Sequence, residues 1–369
     1  MTLPTFYTTP WETQYVPALT GLRALAAYSV FLHHYNPAPT GTFAYYLFQQ
    51  GYIGVTVFFV LSGFLMYHRY AGSYVNGQGW SWRAYLQQRF ARLMPLYLFL
   101  LVAMIGGQYV AGKPMDLPKQ VLNLTLLKGF FNESKFSGIA QSWSLTVEWT
   151  FYLLAPWLFT ALHRWGLIRL TVILLSVGLL LWATVGQSAG HGLFATLPFV
   201  LFYTFFGRAF EFLIGMQLAR NWRSNQIATS KYALAISLIL ISSCVVWQAC
   251  VYTVFADNSA RLLSEFVTYN LLLPVGIVSL LLSLLRENSI FSRVLASPVF
   301  QALGRSSYAF YLIHVGVVSR ALLRTGLFAN TWLLFGALVL LAHGLYSWIE
   351  RPLHRWLALN QLQASPSIP

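Results

Sequence analysis

The chain alternates long apolar stretches with short polar connections, and the stretches recur at the length of a membrane crossing. They fall at 17–35, 50–68, 93–111, 144–162, 167–186, 194–219, 232–254, 268–285, 306–324 and 331–350, and each predicts one transmembrane helix. The pattern predicts an all-α integral membrane protein, a bundle of about ten transmembrane helices forming a single domain over residues 1–369. Two intervals break the rhythm. The connection 69–92 and the stretch 113–141 are too polar to span and too rich in Trp, Phe and Leu for plain solvent loops. They are expected to be interfacial or re-entrant segments packed against the bundle.

Composition agrees with a lipid-embedded chain. It is 57% hydrophobic and 17% aromatic with 9% charged residues, against about 25% charged in a soluble domain. Met1 to Pro17 has no basic region leading into a short apolar core and a small-residue cleavage site, so the first apolar segment is expected to stay as an anchor. Cys244 and Cys250 lie in one apolar run, turned about 240° from each other on a helix. They imply neither a disulfide nor a metal framework, and no metal is expected.

Charge orients the bundle. The net charge is +14. With both termini in the cytoplasm, fourteen Lys and Arg side chains fall inside and seven outside, while Arg23 and Arg208 stay within the membrane. This bias predicts a multi-pass protein of the cell inner (plasma) membrane with cytoplasmic termini. The cytoplasmic arginines can meet anionic lipid or a phosphorylated ligand, and nothing points to nucleic acid. The pattern says nothing about oligomeric state.

Within the spans, the polar residues carry the chemistry. Arg23 and His34 are eleven positions apart in the first span, which places them on one helix face about 16 Å apart. In this orientation Arg23 lies toward the cytoplasm and His34 toward the outside, so one face offers a cation and a titratable base to opposite sides of the membrane. His33 faces about 100° away and is expected to point elsewhere. Arg89 and Arg92 share a face at the entrance to the third span, where two guanidiniums can grip phosphates. Pro95 is tolerated in that first turn.

Ser144 is expected to cap the fourth span, with Glu148 and Tyr152 following at four-residue steps. Glu148 falls at a depth similar to His34, where a carboxylate can fix the tautomer of an imidazole. Arg208 and Glu211, three apart, are expected to form a structural ion pair, although Glu211 can also reach Arg23 at its depth. Ser307, Tyr308, Tyr311 and His314 follow one another at helical spacing and can line a polar channel, although for His314 a satisfied core histidine is the expectation.

Six motifs in order resemble the acyltransferase-3 family: Arg23-x10-His34, the segment from Gly51 to Phe64, Arg89-x-x-Arg92-x-x-Pro95, Trp143-Ser-Leu-x-x-Glu148-x-x-Phe-Tyr152, Gly304 to His314, and Glu350-Arg-Pro352. The resemblance implies a membrane O-acyltransferase that moves an acyl group, most often acetyl from acetyl-CoA, onto an extracytoplasmic acceptor, typically a carbohydrate or glycolipid of the cell surface. It makes His34 the essential histidine and Arg23 its paired arginine, and gives Arg89 and Arg92 to the acyl-CoA donor. Thr56 stands where many members carry an acid. The expected reaction is direct transfer with His34 as base, oriented by Glu148 or a nearby hydroxyl, and a transient acetyl-histidine is the competing course. A transporter or flippase for an anionic lipid-linked substrate is the alternative class, against which stand the missing internal repeat and the missing pair of broken helices.

Overall fold

The computed structural model describes residues 15–77, 80–188, 192–224, 232–254 and 259–363. Among them there is no β-strand, and sixteen α-helices follow one another. These are α1 (Pro17–His34), α2 (Phe43–Gln49), α3 (Ile53–Asn76), α4 (Trp82–Val110), α5 (Leu117–Leu124), α6 (Trp143–Ser188), α7 (Leu197–Tyr203) and α8 (Phe205–Arg223). They continue as α9 (Ala233–Val254), α10 (Ser259–Glu265), α11 (Leu273–Arg286), α12 (Ile290–Leu295), α13 (Pro298–Ile313), α14 (Val317–Arg324), α15 (Thr331–Leu345) and α16 (Arg351–Gln363).

Seven helical runs among the described residues are long and apolar enough to cross a membrane, or eight with the bent pair α13 and α14. The count of ten is therefore not confirmed, for three physical reasons. The expected spans 144–162 and 167–186 follow each other without a loop in the continuous run α6, which counts once although its helix is broken at Gly166 between them; the φ of 78° there is open to glycine and costly for other residues. The first span, α1, carries Arg23, His33 and His34 within 18 residues, which dilutes its apolar character below that of the other runs. The ninth is bent by 82° between α13 and α14.

The connection 69–92 also departs from expectation. It is mostly helix, because α3 runs on to Asn76 and α4 starts at Trp82, where the Ser81 hydroxyl accepts the Ala84 N–H at 3.4 Å. The stretch 113–141 holds α5 and short 3₁₀ turns. It is fastened to the bundle where the Tyr97 hydroxyl donates to the Asn123 carbonyl at 2.7 Å and Thr146 donates to the Leu126 carbonyl. At its centre Lys128 is fully buried, donating to the carbonyls of Ile139 at 2.7 Å and Ser137. Burial pushes its ammonium down to about 7.

The bundle is assembled around α3, α6 and α8, with α1 packed on α13 and α9 on α11. Small residues allow backbone-to-backbone contact between α3 and α8. A Cβ on Gly63 would stand 2.0 Å from the Phe212 carbonyl oxygen, and one on Gly215 would stand 2.1 Å from that of Val60. This is the packing mode of helices in lipid, where close van der Waals approach replaces the hydrophobic drive.

Two outcomes are expected. Gly63→Val forces α3 away from α8 and costs on the order of 3 kcal/mol, measurable as a lowered midpoint of thermal unfolding in detergent. Between pH 7 and about 10 the unfolded chain binds a proton at Lys128 that the folded chain does not, so the wild-type midpoint rises with pH across that window. In Lys128→Met that rise is reduced.

Candidate active site

A cavity of about 850 Å³ opens at the N-terminal end of α1, lined by Arg23, by Arg92 of α4, by Glu148 of α6, by Arg305 and Tyr308 of α13, and by Glu350, Arg351 and Arg355 beyond α15. Five guanidiniums face two carboxylates across it. An excess of cations that can form bidentate hydrogen bonds suits a ligand with several phosphate or carboxylate groups. Glu350 closes a π-helical turn, Tyr346–Glu350, a local widening that redirects side chains and recurs at functional sites.

The structure does not bring Arg89 and Arg92 together at one cavity, as the joint grip expected. Arg92 lines the cavity, whereas Arg89 is buried, donating from Nη2 to the Tyr70 hydroxyl at 2.7 Å. Its guanidinium lies 5.1 Å from the centre of the Tyr70 ring and 5.6 Å from that of Tyr152. Aromatic faces and a phenol compensate the desolvated cation there, so Arg89 belongs to the packing behind the cavity.

Glu148 is also displaced from its expected place. Both the Ser62 and the Tyr152 hydroxyls donate to its Oε1, and it lines the arginine cavity. It is not among the residues lining the pocket that contains His34. The spacing correctly put Glu148 and Tyr152 on one face, but the rotation of α6 turns that face toward Arg23. Nor is Ser144 a cap, because α6 begins one residue earlier, at Trp143. Its hydroxyl bonds the Gln141 carbonyl at 3.0 Å and meets the Tyr311 hydroxyl at 2.9 Å.

A second cavity, of about 330 Å³, lies at the C-terminal end of α1. His34 is exposed into it, and His33 lines it as well. The two imidazoles share the pocket because α1 stops at His34, so the cavity reaches around the last turn. His33 Nδ1 pairs with the Gln49 carbonyl. The walls are largely aromatic, from Tyr52, Phe136, Trp143, Tyr203 and Tyr252, with Gln141, Arg208 and Glu265 among them. Val55 and Tyr311 line both cavities. The two spaces therefore meet back to back across a thin partition, to which Phe58 adds its ring, 5.9 Å from that of Tyr311.

Arg208 and Glu211 form the expected ion pair, at 3.0 Å, so Glu211 is held by α8 itself and not by Arg23. Arg208 also donates to Thr56 Oγ1 at 3.1 Å and to Asn270 Oδ1 at 3.4 Å. Asn270 is presented by the π-helical turn Phe266–Leu272. His314 is fully buried, with Nδ1 2.7 Å from the Tyr311 carbonyl. The expectation of a satisfied histidine is met at only one of its nitrogens, for Nε2 has no hydrogen-bond partner among the described residues.

Sequence reasoning missed Arg305, Glu350, Arg351 and Arg355 as cavity residues, along with the aromatic walls around His34. The first three were within its reach, because they lie in the two C-terminal motifs, Gly304 to His314 and Glu350-Arg-Pro352. Apolar periodicity does not reveal that the last helices fold back beside Arg23.

These features define a polytopic helical membrane protein with an arginine-lined cavity at one end of its first helix and a histidine pocket at the other. Residues 16–349 match the acyltransferase domain of the acyltransferase-3 family, and the chain belongs to that family. Over 338 residues it is 27% identical to peptidoglycan O-acetyltransferase OatA of Listeria monocytogenes, an alignment covering 85% of this chain and 51% of that protein. It is 24% identical over 335 residues to O-acetyltransferase OatA of Staphylococcus aureus, covering 84% of this chain and 51% of that protein. The chain thus spans about half the length of the curated relatives it matches. No solved structure matches it.

Arg89→Ala is expected to destabilise the fold by on the order of 2 kcal/mol, because it empties a packed site and removes the donor to the Tyr70 hydroxyl. Arg92→Ala, facing open space, should stay within about 0.5 kcal/mol of wild type. Parallel thermal unfolding in detergent distinguishes the two positions.

Proposed function

We propose that this chain is an O-acyltransferase that moves an acyl group, acetyl in the first instance, from cytoplasmic acyl-CoA to a carbohydrate hydroxyl on the outer side of the membrane. One observation carries the reading: an arginine-lined cavity and a histidine pocket lie at opposite ends of α1 and meet at Val55 and Tyr311. Such a pair serves a reaction whose two substrates arrive from opposite sides. Arg23, Arg92, Arg305 and Arg351 offer charge-assisted hydrogen bonds to the phosphates of CoA. The bias of Lys and Arg toward one face supports the cytoplasmic placement of that end.

In the other cavity, aromatic side chains present flat apolar faces to a sugar ring, and Gln141 adds a polar contact. His34 accepts the proton of the attacking hydroxyl while a new oxygen–carbon bond forms at the thioester carbonyl. The carbon–sulfur bond then breaks, and the proton held on His34 passes to the departing thiolate of CoA. An acceptor of the peptidoglycan type is supported by the name of the Listeria relative.

Acetyl-CoA binding and release of the CoA thiol, measured on purified protein with an N-acetylglucosamine trisaccharide as acceptor, test the reading. Arg92→Ala combined with Arg351→Ala should weaken acetyl-CoA binding by at least about tenfold. His34→Ala should bind within about twofold of wild type yet release almost no thiol. A folded wild type that does not bind acetyl-CoA would overturn the proposal.

A further inference from the structure

We infer that His314 is the positioning residue for His34: its Nε2 accepts the ring N–H of His34 and so leaves the other nitrogen of His34 unprotonated toward the acceptor. The inference rests on the reading of His34 as the base, and it fills the place that Glu148, facing the other cavity, leaves vacant.

The tautomer of His314 follows from its surroundings. Its Nδ1 lies 2.7 Å from the Tyr311 carbonyl, which can only accept, so Nδ1 carries the proton and Nε2 presents a lone pair. That Nε2 is buried, with no hydrogen-bond partner among the described residues. A fully buried acceptor without a donor is uncommon in folded proteins and calls for an explanation. The ring of His34 is 5.3 Å away between centroids, a spacing that leaves about 3 Å between facing ring nitrogens, hydrogen-bond distance. Because His34 is exposed into its cavity, its ring is free to turn into that contact.

His314, in contrast, is held still. Its ring is parallel to that of Phe310 within 1°. The helix end that carries it is pinned by Gln141, whose Nε2 donates to the carbonyls of Tyr311 at 2.9 Å, Leu312 at 2.7 Å and Val315 at 3.1 Å. The other candidates around His34 are engaged. His33 is occupied at Nδ1 by the Gln49 carbonyl, Glu265 is paired with Arg261 at 3.1 Å, and Arg208 is paired with Glu211. The His33 ring is nearer to His34, at 4.9 Å between centroids, but it is only half-buried, whereas His314 combines a fixed ring with a fully buried acceptor that has no partner among the described residues.

The test compares His314→Gln, His314→Asn and His314→Leu in the full chain, with acetyl-CoA and the N-acetylglucosamine trisaccharide as substrates. Gln reaches to about the position of Nε2, whereas Asn stops near Nδ1. Leu and Asn should lower kcat by about a hundredfold, with the KM and Kd for acetyl-CoA within about twofold of wild type. Gln should recover at least about tenfold over both. A kcat for His314→Leu within threefold of wild type sinks the inference, and so does equal impairment of Gln and Asn in protein that still binds acetyl-CoA. If Leu fails to fold, as judged by lost acetyl-CoA binding, the contrast between Gln and Asn decides alone. A wild type that binds acetyl-CoA but releases thiol no faster than His34→Ala removes the acyltransfer reading itself, which is a distinct result from failure of the His314 variants alone.

Discussion

A cation inside an apolar bundle must either find partners or face a cavity that water can enter, and this constraint sorts the intramembrane arginines. Arg208 is satisfied by Glu211, Thr56 and Asn270, and Arg89 by a phenol and two aromatic faces. These two hold the bundle together from within. Arg23 and Arg92 open into the large cavity beside Arg305 and Arg351, where charge remains available to a ligand. The distinction between structural and ligand-facing arginines depends on where each helix turns its side chains.

The same bundle depends on close backbone contact. Gly63 and Gly215 bring α3 against α8, which carries Thr56 on α3 to Arg208 on α8 and fixes one wall between the two cavities. Where the chain departs from regular helix, polar groups gather. The π-helical turn Phe266–Leu272 presents Asn270 to Arg208, and Tyr346–Glu350 presents Glu350 to the arginine cavity. The bend after α13 frees carbonyls that Gln141 then collects. Widened or broken turns at these places supply the irregular backbone that a purely α-helical bundle lacks.

With a cavity at each end of α1, the first helix is the axis of the site. Its N-terminal half faces the arginine cavity and its last turn faces the histidine pocket, and Tyr311 stands at the junction, hydrogen-bonded to Ser144. A partition of a few side chains between two such spaces is consistent with the proposed transfer, in which donor and acceptor would meet only there.

The sequence by itself determined the class of the protein, its helical and membrane-spanning character, its family, and the placement of Arg23 and His34 toward opposite ends of one helix, because apolar run length and helical spacing are local properties. It also placed Arg208 beside Glu211 and Glu148 beside Tyr152, again by local spacing. Tertiary structure decided what lies across each helix. It sent Glu148 to the arginine cavity, buried Arg89 behind it, placed His33 in the pocket with His34, and set Arg305, Glu350 and Arg351 beside Arg23. Those outcomes follow from the rotation and crossing of helices distant in the chain, which are fixed by close packing at positions such as Gly63 and Gly215 and leave no periodic trace in the sequence.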